Sequence, residues 1–199
     1  MKLEQAQNIA ESLKSKLAPY CERIEIAGSI RRKKPEPNDV ELVCIPKFAE
    51  IGTGQIQLDG AASTVSTNLL SNELHQHFNV HKGGERYFQI GVFDGQIIGH
   101  RQYINVDIFM ATHTTWGYIF MLRTGPREFS KFVVTELKRR GFTPKGGAVW
   151  LGGEPIPTRE EIVIFQHLLI DYIEPECRFD EVVSIEQDMN ARTYKSVIK

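Results

Sequence analysis

The sequence predicts an α+β protein with a mainly antiparallel or mixed sheet, and three observations predict it. An amphipathic helix opens the chain. Strand patterns then follow in a block instead of alternating with helices, and the last third returns to helical spacing. With 199 residues, 41% of them hydrophobic and 25% charged, the chain can bury a sizeable core.

Each element has a local reason. Leu3, Ala6, Ala10, Leu13 and Leu17 recur on one helical face, which predicts a helix over 2–17. Ile24-Glu25-Ile26 alternates as a short strand, and Gly28-Ser29 ends it. The run Arg31-Arg32-Lys33-Lys34-Pro35-Glu36-Pro37 reads as a basic turn, because two prolines end any helix there. Val40–Ile45 is apolar and β-branched except at Glu41, predicting a buried strand that stops at Pro46. Residues 47–84 carry scattered Gly, Ser and Thr, with a helix expected near Asn68–His77. Arg86–Phe93 and Gln96–Met110 alternate as strands, with Gly91 and Asp94-Gly95 supplying turn chemistry. Trp116–Leu122 and residues 127–140 follow as helices, the second ending at Gly141 as its C′ residue. Thr158-Arg159-Glu160-Glu161 fits a capping box ahead of a helix that buries Ile162, Phe165, Leu168, Leu169 and Tyr172, with Pro175 past its end.

Charge and cysteine usage narrow the function classes. A formal net charge of −1 excludes a wholly basic nucleic-acid coat but leaves room for a local basic face. Arg123–Lys145 holds seven Lys/Arg against two Glu, a net +5, which leaves −6 for the rest of the chain. That polarity suits phosphate on one face and cations on another, and competes with an ordinary solvated helix face. Cys21, Cys44 and Cys177 fit no zinc or disulfide spacing and point to a reducing compartment. Cys44 reads as a small buried hydrophobe. The amino terminus has no apolar signal core, and no stretch nears the roughly 18 apolar residues of a membrane span. A soluble, intracellular, monomeric protein without membrane attachment is expected.

The chemistry-bearing residues are acids on strands. Asp39 and Glu41 are two apart, so on a strand both carboxylates face one side, opposite Val40 and Leu42. Ile104, Val106 and Ile108 share a face, and Asp107 projects the other way. Converging carboxylates repel, and a hard divalent cation held by oxygen removes the conflict, Mg²⁺ or Mn²⁺ above zinc. Two such ions can activate a hydroxyl and stabilise a leaving pyrophosphate. Solvent-facing acids on unrelated edge strands are the competing reading. Separated from Asp39 by nine residues lies Gly28-Ser29, a turn whose amides and hydroxyl can meet phosphate, followed by Arg31 and Arg32 as bidentate phosphate ligands. His75 and His77 read as surface histidines ahead of a metal pair, and Trp150 and Tyr87 as packing residues ahead of base-stacking ones.

This pattern resembles the nucleotidyltransferase superfamily signature, and Gly28-Ser29-Ile30-Arg31-Arg32 with Asp39-Val40-Glu41 resembles family X DNA polymerases in particular. Ile104-Asn105-Val106-Asp107, Trp116-Gly117 with Thr124-Gly125, and Tyr172-Ile173-Glu174-Pro175-Glu176-Cys177-Arg178 resemble further family segments, in family order over residues 1–178. The resemblance implies a nucleotidyltransferase palm over 1–115 and a mainly helical thumb over 116–178, with a tail of no matched role over 179–199. It implies two Mg²⁺, with Mn²⁺ as substitute, on Asp39, Glu41 and Asp107. Asp107 would also help deprotonate the primer hydroxyl. Gly28, Ser29, Arg32 and Asn38 match positions around the nucleotide phosphates, Thr124 and Gly125 match the sugar segment, and Ser130 matches a position that reaches the base edge. Arg127, Lys131, Lys138, Arg139 and Arg140 are the expected contacts to DNA phosphates.

The implied activity is primer extension with dNTPs on gapped DNA, in repair. Departures from the family pattern are Glu41 where Asp is usual, Leu122-Arg123 in place of an aromatic pair, and Pro126 after Gly125. The last predicts a cis Gly125–Pro126 bond, since proline lowers the cost of cis to about 0.5–1 kcal/mol. The family's lyase domain has no counterpart, so the chain resembles a minimal palm-plus-thumb form such as some viruses encode. Two rivals stand beside this reading: a template-independent or non-DNA nucleotidyltransferase, and a catalytically silent module that binds DNA ends.

Overall fold

The computed structural model describes residues 1–56, 62–93 and 103–178. Helix α1 (Leu3–Leu17) buries Ala6, Ala10, Leu13 and Leu17, the expected stripe. It packs on a five-stranded mixed sheet of order β1-β2-β7-β6-β5, built from β1 (Cys21–Ile26), β2 (Val40–Pro46), β5 (Asn79–Gly83), β6 (Tyr87–Phe93) and β7 (Tyr103–Met110). Only the β2–β7 pair is parallel; the others are antiparallel. The α+β class with a mixed sheet therefore holds, with six α-helices among the described residues. The expected turn at Asp94-Gly95, the start of the following strand at Gln96 and the tail after Arg178 lie outside the described residues.

Period-two alternation divides the sheet into two faces. Val40, Leu42, Cys44, Phe88, Ile90, Val106 and Ile108 join α1 and Leu70 and Leu74 of α3 (Leu69–His77) in one core. Asn68 caps α3 by accepting from the Ser71 N–H at 3.0 Å. On the opposite face Val43, Ile45 and Phe109 pack against Trp116 and Phe120 of α4 (Trp116–Thr124). The other side of α4 contributes Tyr118 and Met121 to a third core with α5 (Arg127–Arg139) and α6 (Glu161–Leu168). Gly141 has φ 85° and is the C′ residue of α5 as expected. Gly117 is required by crowding: a Cβ there would sit 2.1 Å from the Glu160 carbonyl carbon.

Several expectations are corrected. Gly28-Ser29 does not simply end β1 but opens a one-turn helix, α2 (Gly28–Arg31). A β3–β4 ribbon (Phe48–Ile56, Ala62–Asn68) and a three-stranded sheet β8–β10 (Thr143–Lys145, Ala148–Leu151, Glu154–Ile156) add strands where no pattern had been read. Thr158 is not an N-cap; it is buried and donates its hydroxyl to the Thr114 carbonyl at 3.1 Å, while Glu160 precedes the helix. Helix α6 ends at Leu168, and Leu169 turns left-handed and outward, so its buried face is Glu161, Ile164, Phe165 and Leu168. Every described peptide bond is trans, Gly125–Pro126 included. Gly125 is extended (φ −66°, ψ 146°), the region favoured before a trans proline, and Pro126 leads directly into α5.

Candidate active site

The acids lie on the sheet face that carries α4. Glu41 and Asp107 are register partners across the parallel β2–β7 pair, and Asp39 stands two residues before Glu41. Burial and the neighbouring charges of Asp39 and Asp107 push Glu41 up to about 7. Burial, then Asp107, also raises Asp39. Thus the three carboxyls that period two placed on one face do act on one another.

Gly28 sits against this group for two reasons. Its φ of +62° suits glycine, and a Cβ there would lie 1.9 Å from Glu41 Oε2. The Ala27 N–H donates to the Glu41 carbonyl at 2.9 Å, which locks the turn to β2. Next in the chain, the Ser29 hydroxyl is buried without a hydrogen-bond partner. A buried donor left in that state costs about 1–3 kcal/mol, so the site is suited to an oxygen ligand from outside.

The two arginines at the end of α2, Arg31 inside it and Arg32 as its C-cap, divide their work. Arg32 donates to the Thr124 carbonyl and so faces the α4 terminus. Arg31, expected to bind phosphate, is engaged by protein groups: it forms a bidentate pair with Glu161 at 2.9 and 2.6 Å, donates to Thr124 Oγ1, and stacks over Phe120. Glu161 also receives Arg178 Nη1 at 2.8 Å and the Tyr172 hydroxyl at 2.9 Å. The carboxy-terminal Tyr–Arg motif is thus a clamp on Glu161 that reaches α2.

Asp107 has two donors from β6. The Tyr87 hydroxyl donates to Oδ1 at 2.6 Å, and Gln89 Nε2 donates to the same oxygen at 3.0 Å. Burial and that hydrogen bond hold the Tyr87 phenol up to about 12, so it stays a donor at neutral pH. A cavity of about 880 Å³ opens beside Glu41 and Asp107, with Arg86, Tyr87, Phe109 and Arg123 in its wall. The Arg123 guanidinium lies 3.9 Å from the Phe109 ring centroid.

The remaining sequence-selected residues scatter more widely. Asn38 is exposed at the entry to β2. Thr124 is buried, and a Cβ on Gly125 would meet the Phe129 ring at 2.4 Å. The Ser130 hydroxyl donates to the Leu122 carbonyl at 2.9 Å, closing the α4–α5 junction. On α5, Arg127, Lys131, Lys138 and Arg139 are exposed. Arg140 is spent internally, donating to the Leu168 carbonyl at 3.2 and 2.7 Å and to Glu136.

The donor set suits a hard divalent cation: three carboxyls, all oxygen, with no thiol or imidazole among them. Among the described residues no group of three or more His, Cys, Asp or Glu side chains is placed to hold a metal ion. The fit is therefore one of donor type and register. No protein-family model matches this chain, and no curated protein does. Among the described residues no helix is long and apolar enough to cross a membrane.

Two measurable consequences arise here. Gly28→Ala is expected to displace the Glu41 carboxylate and to strain a left-handed residue, costing about 1–2 kcal/mol of stability. Thermal unfolding and cation binding of that variant check both halves; a variant equal to wild type in each would contradict the close approach. The second consequence is a pH dependence. Because folding raises the Glu41 pKa, the folded state holds more protons, and stability must fall as pH rises through the window from 4.5 to about 7. The loss from Glu41 is about 3 kcal/mol in the absence of divalent cations. Urea melts in EDTA at pH 5 and pH 8 read it, and Glu41→Gln should flatten the slope.

Proposed function

We propose that this chain is a nucleotidyltransferase that extends a DNA primer with dNTPs, a compact DNA-directed DNA polymerase of family X type filling short gaps in repair. The single observation that carries the reading is the register pairing of Glu41 with Asp107, with Asp39 near enough to act on both and the Gly28-Ser29 turn seated against Glu41. The partnerless, buried Ser29 hydroxyl beside it supports a phosphate ligand.

Mg²⁺ or Mn²⁺ would be held by Asp39, Glu41 and Asp107; when bound, the ions make the attacking hydroxyl more acidic and offset charge on the leaving pyrophosphate. The chain's own residues supply the rest. Ser29 donates its hydroxyl to a β- or γ-phosphate oxygen, and Arg32 adds positive charge on the same side. Asp107 accepts the proton of the primer 3′ hydroxyl as its oxygen attacks the α-phosphorus, and the bond to pyrophosphate breaks. Gly125 lines the sugar with the buried Thr124 behind it, and Arg123 stands where family X polymerases carry an aromatic. Exposed Arg127, Lys131, Lys138 and Arg139 track DNA phosphates, so affinity should fall with salt. Arg140, tied to Leu168 and Glu136, contributes less than its neighbours.

The test is extension of a primer across a one-nucleotide gap with Mg²⁺ and each dNTP singly. Insertion of the templated base alone supports the polymerase. Addition of every base regardless of template replaces it with a terminal transferase. No addition with either metal, with DNA still bound, leaves an end-binding module or a different acceptor.

A further inference from the structure

The third acid does not stand free. Tyr87 and Gln89 are two apart on β6 and project on the face that carries Asp107. The antiparallel β6–β7 register places Gln89 opposite Asp107 and Tyr87 opposite Phe109. Both donors converge on Oδ1, at 2.6 and 3.0 Å. One oxygen is thereby held at two points, and Oδ2 receives neither donor. A carboxylate on a strand otherwise turns about two torsions, and any ligand that needs one orientation must pay for freezing it.

Tyr87 is itself held. Its ring stacks on Phe109 with centroids 5.2 Å apart and planes 29° apart. Arg123 covers the Phe109 ring. The chain of contacts runs from Arg123 through Phe109 and Tyr87 to a single carboxylate oxygen. Nothing about core packing requires it, since Phe at position 87 would keep the stack without the hydroxyl.

We propose that Tyr87 and Gln89 are positioning residues that fix the Asp107 carboxylate through Oδ1 and so present Oδ2 to a cation or a substrate proton. The inference rests on the nucleotidyl-transfer reading for its catalytic consequence, though not for its metal-binding one. Outer donors of this kind are commonly worth 10–100-fold in metal affinity or activity.

The experiment uses the full chain as wild type, Tyr87→Phe, Gln89→Leu and the double variant. Free Mn²⁺ is followed by electron paramagnetic resonance during titration with the metal alone, and gap filling and thermal melts are run on the same preparations. Tyr87→Phe is expected to weaken Mn²⁺ binding or lower kcat by about tenfold or more, with KM for the dNTP little changed. Its melting temperature should stay near wild type, because the ring stack remains. Should the double variant fail to fold, Tyr87→Phe carries the test alone. Wild-type Mn²⁺ affinity and kcat in Tyr87→Phe would overturn the clamp. Weakened Mn²⁺ binding in a protein whose wild type incorporates no nucleotide would keep the clamp and sink the polymerase reading. A wild type that binds no Mn²⁺ would sink both.

Discussion

Asp107→Asn is expected to fold as the wild type does and to lose nucleotide incorporation by about a thousandfold or more, the scale of removing a charge that acts on the transition state. The substitution is isosteric. Its amide oxygen can still accept from Tyr87 and Gln89, so the contacts to β6 survive. What disappears is one negative charge from a group in which burial and mutual repulsion already raise Asp39 and Glu41. Thermal stability should therefore be unchanged or higher near neutral pH, the reverse of what a lost structural residue gives. A thousandfold corresponds to about 4 kcal/mol of transition-state stabilisation. Single-turnover gap filling at saturating dNTP, beside a thermal melt, separates the cases. Full activity in Asp107→Asn would remove Asp107 from the chemistry, and loss of activity with a large fall in melting temperature would recast it as structural. Glu41 supplies an internal control: without the Asp107 charge its pKa should fall, and the stability slope between pH 5 and 8 should shrink.

Elements with a strong period were legible in the sequence. α1 and α5 carry apolar stripes at helical spacing, β2 and β7 alternate over enough residues to assign faces, and the acid grouping followed from those faces. Elements that owe their existence to distant partners were not. Strands β8 to β10 are three or four residues long, below the length at which alternation can be seen, and are joined through Gly146-Gly147 and Gly152-Gly153, all at positive φ. The capping-box spacing around Thr158 was real, yet Glu161 is drawn to Arg31 and Arg178, and a buried ion pair outweighs a local cap. Arg31 and Arg32 are adjacent and chemically identical. Only the turn of α2 decides that one pairs with Glu161 and the Thr124 hydroxyl and the other with the Thr124 carbonyl. Tyr87 and Gln89 were visible as alternation, but their link to Asp107 depends on the β6–β7 register, which is set by pairing between distant residues and not by local sequence.

The second large effect lies far from the acids. Glu161→Gln is expected to destabilise the protein by about 3–5 kcal/mol, because breaking a buried pair leaves the partner charge uncompensated. The Arg178 side chain is 0% exposed and the Glu161 side chain 6%, so water cannot replace what is lost. For a chain of this size that is a fall in melting temperature of about 6–20 °C. The pH signature is opposite in sign to that of Glu41. Burial works to raise the Glu161 pKa, but the hydrogen bonds and charges of Arg31 and Arg178 outweigh it and hold it below the ordinary value. Its stabilisation is therefore present above the unfolded pKa and is lost as pH falls through the folded one. Replacing Glu161 and Arg178 together by Leu and Met should cost less than Glu161→Gln alone, since no buried charge is then orphaned on that side. Arg31 carries the consequence to the site. It is the last residue of α2, two positions from Ser29, and Glu161 is its main anchor. Loosening that anchor should raise KM for the nucleotide more than it lowers kcat at a temperature where the variant remains folded. An unchanged KM there would confine the Glu161 cluster to stability.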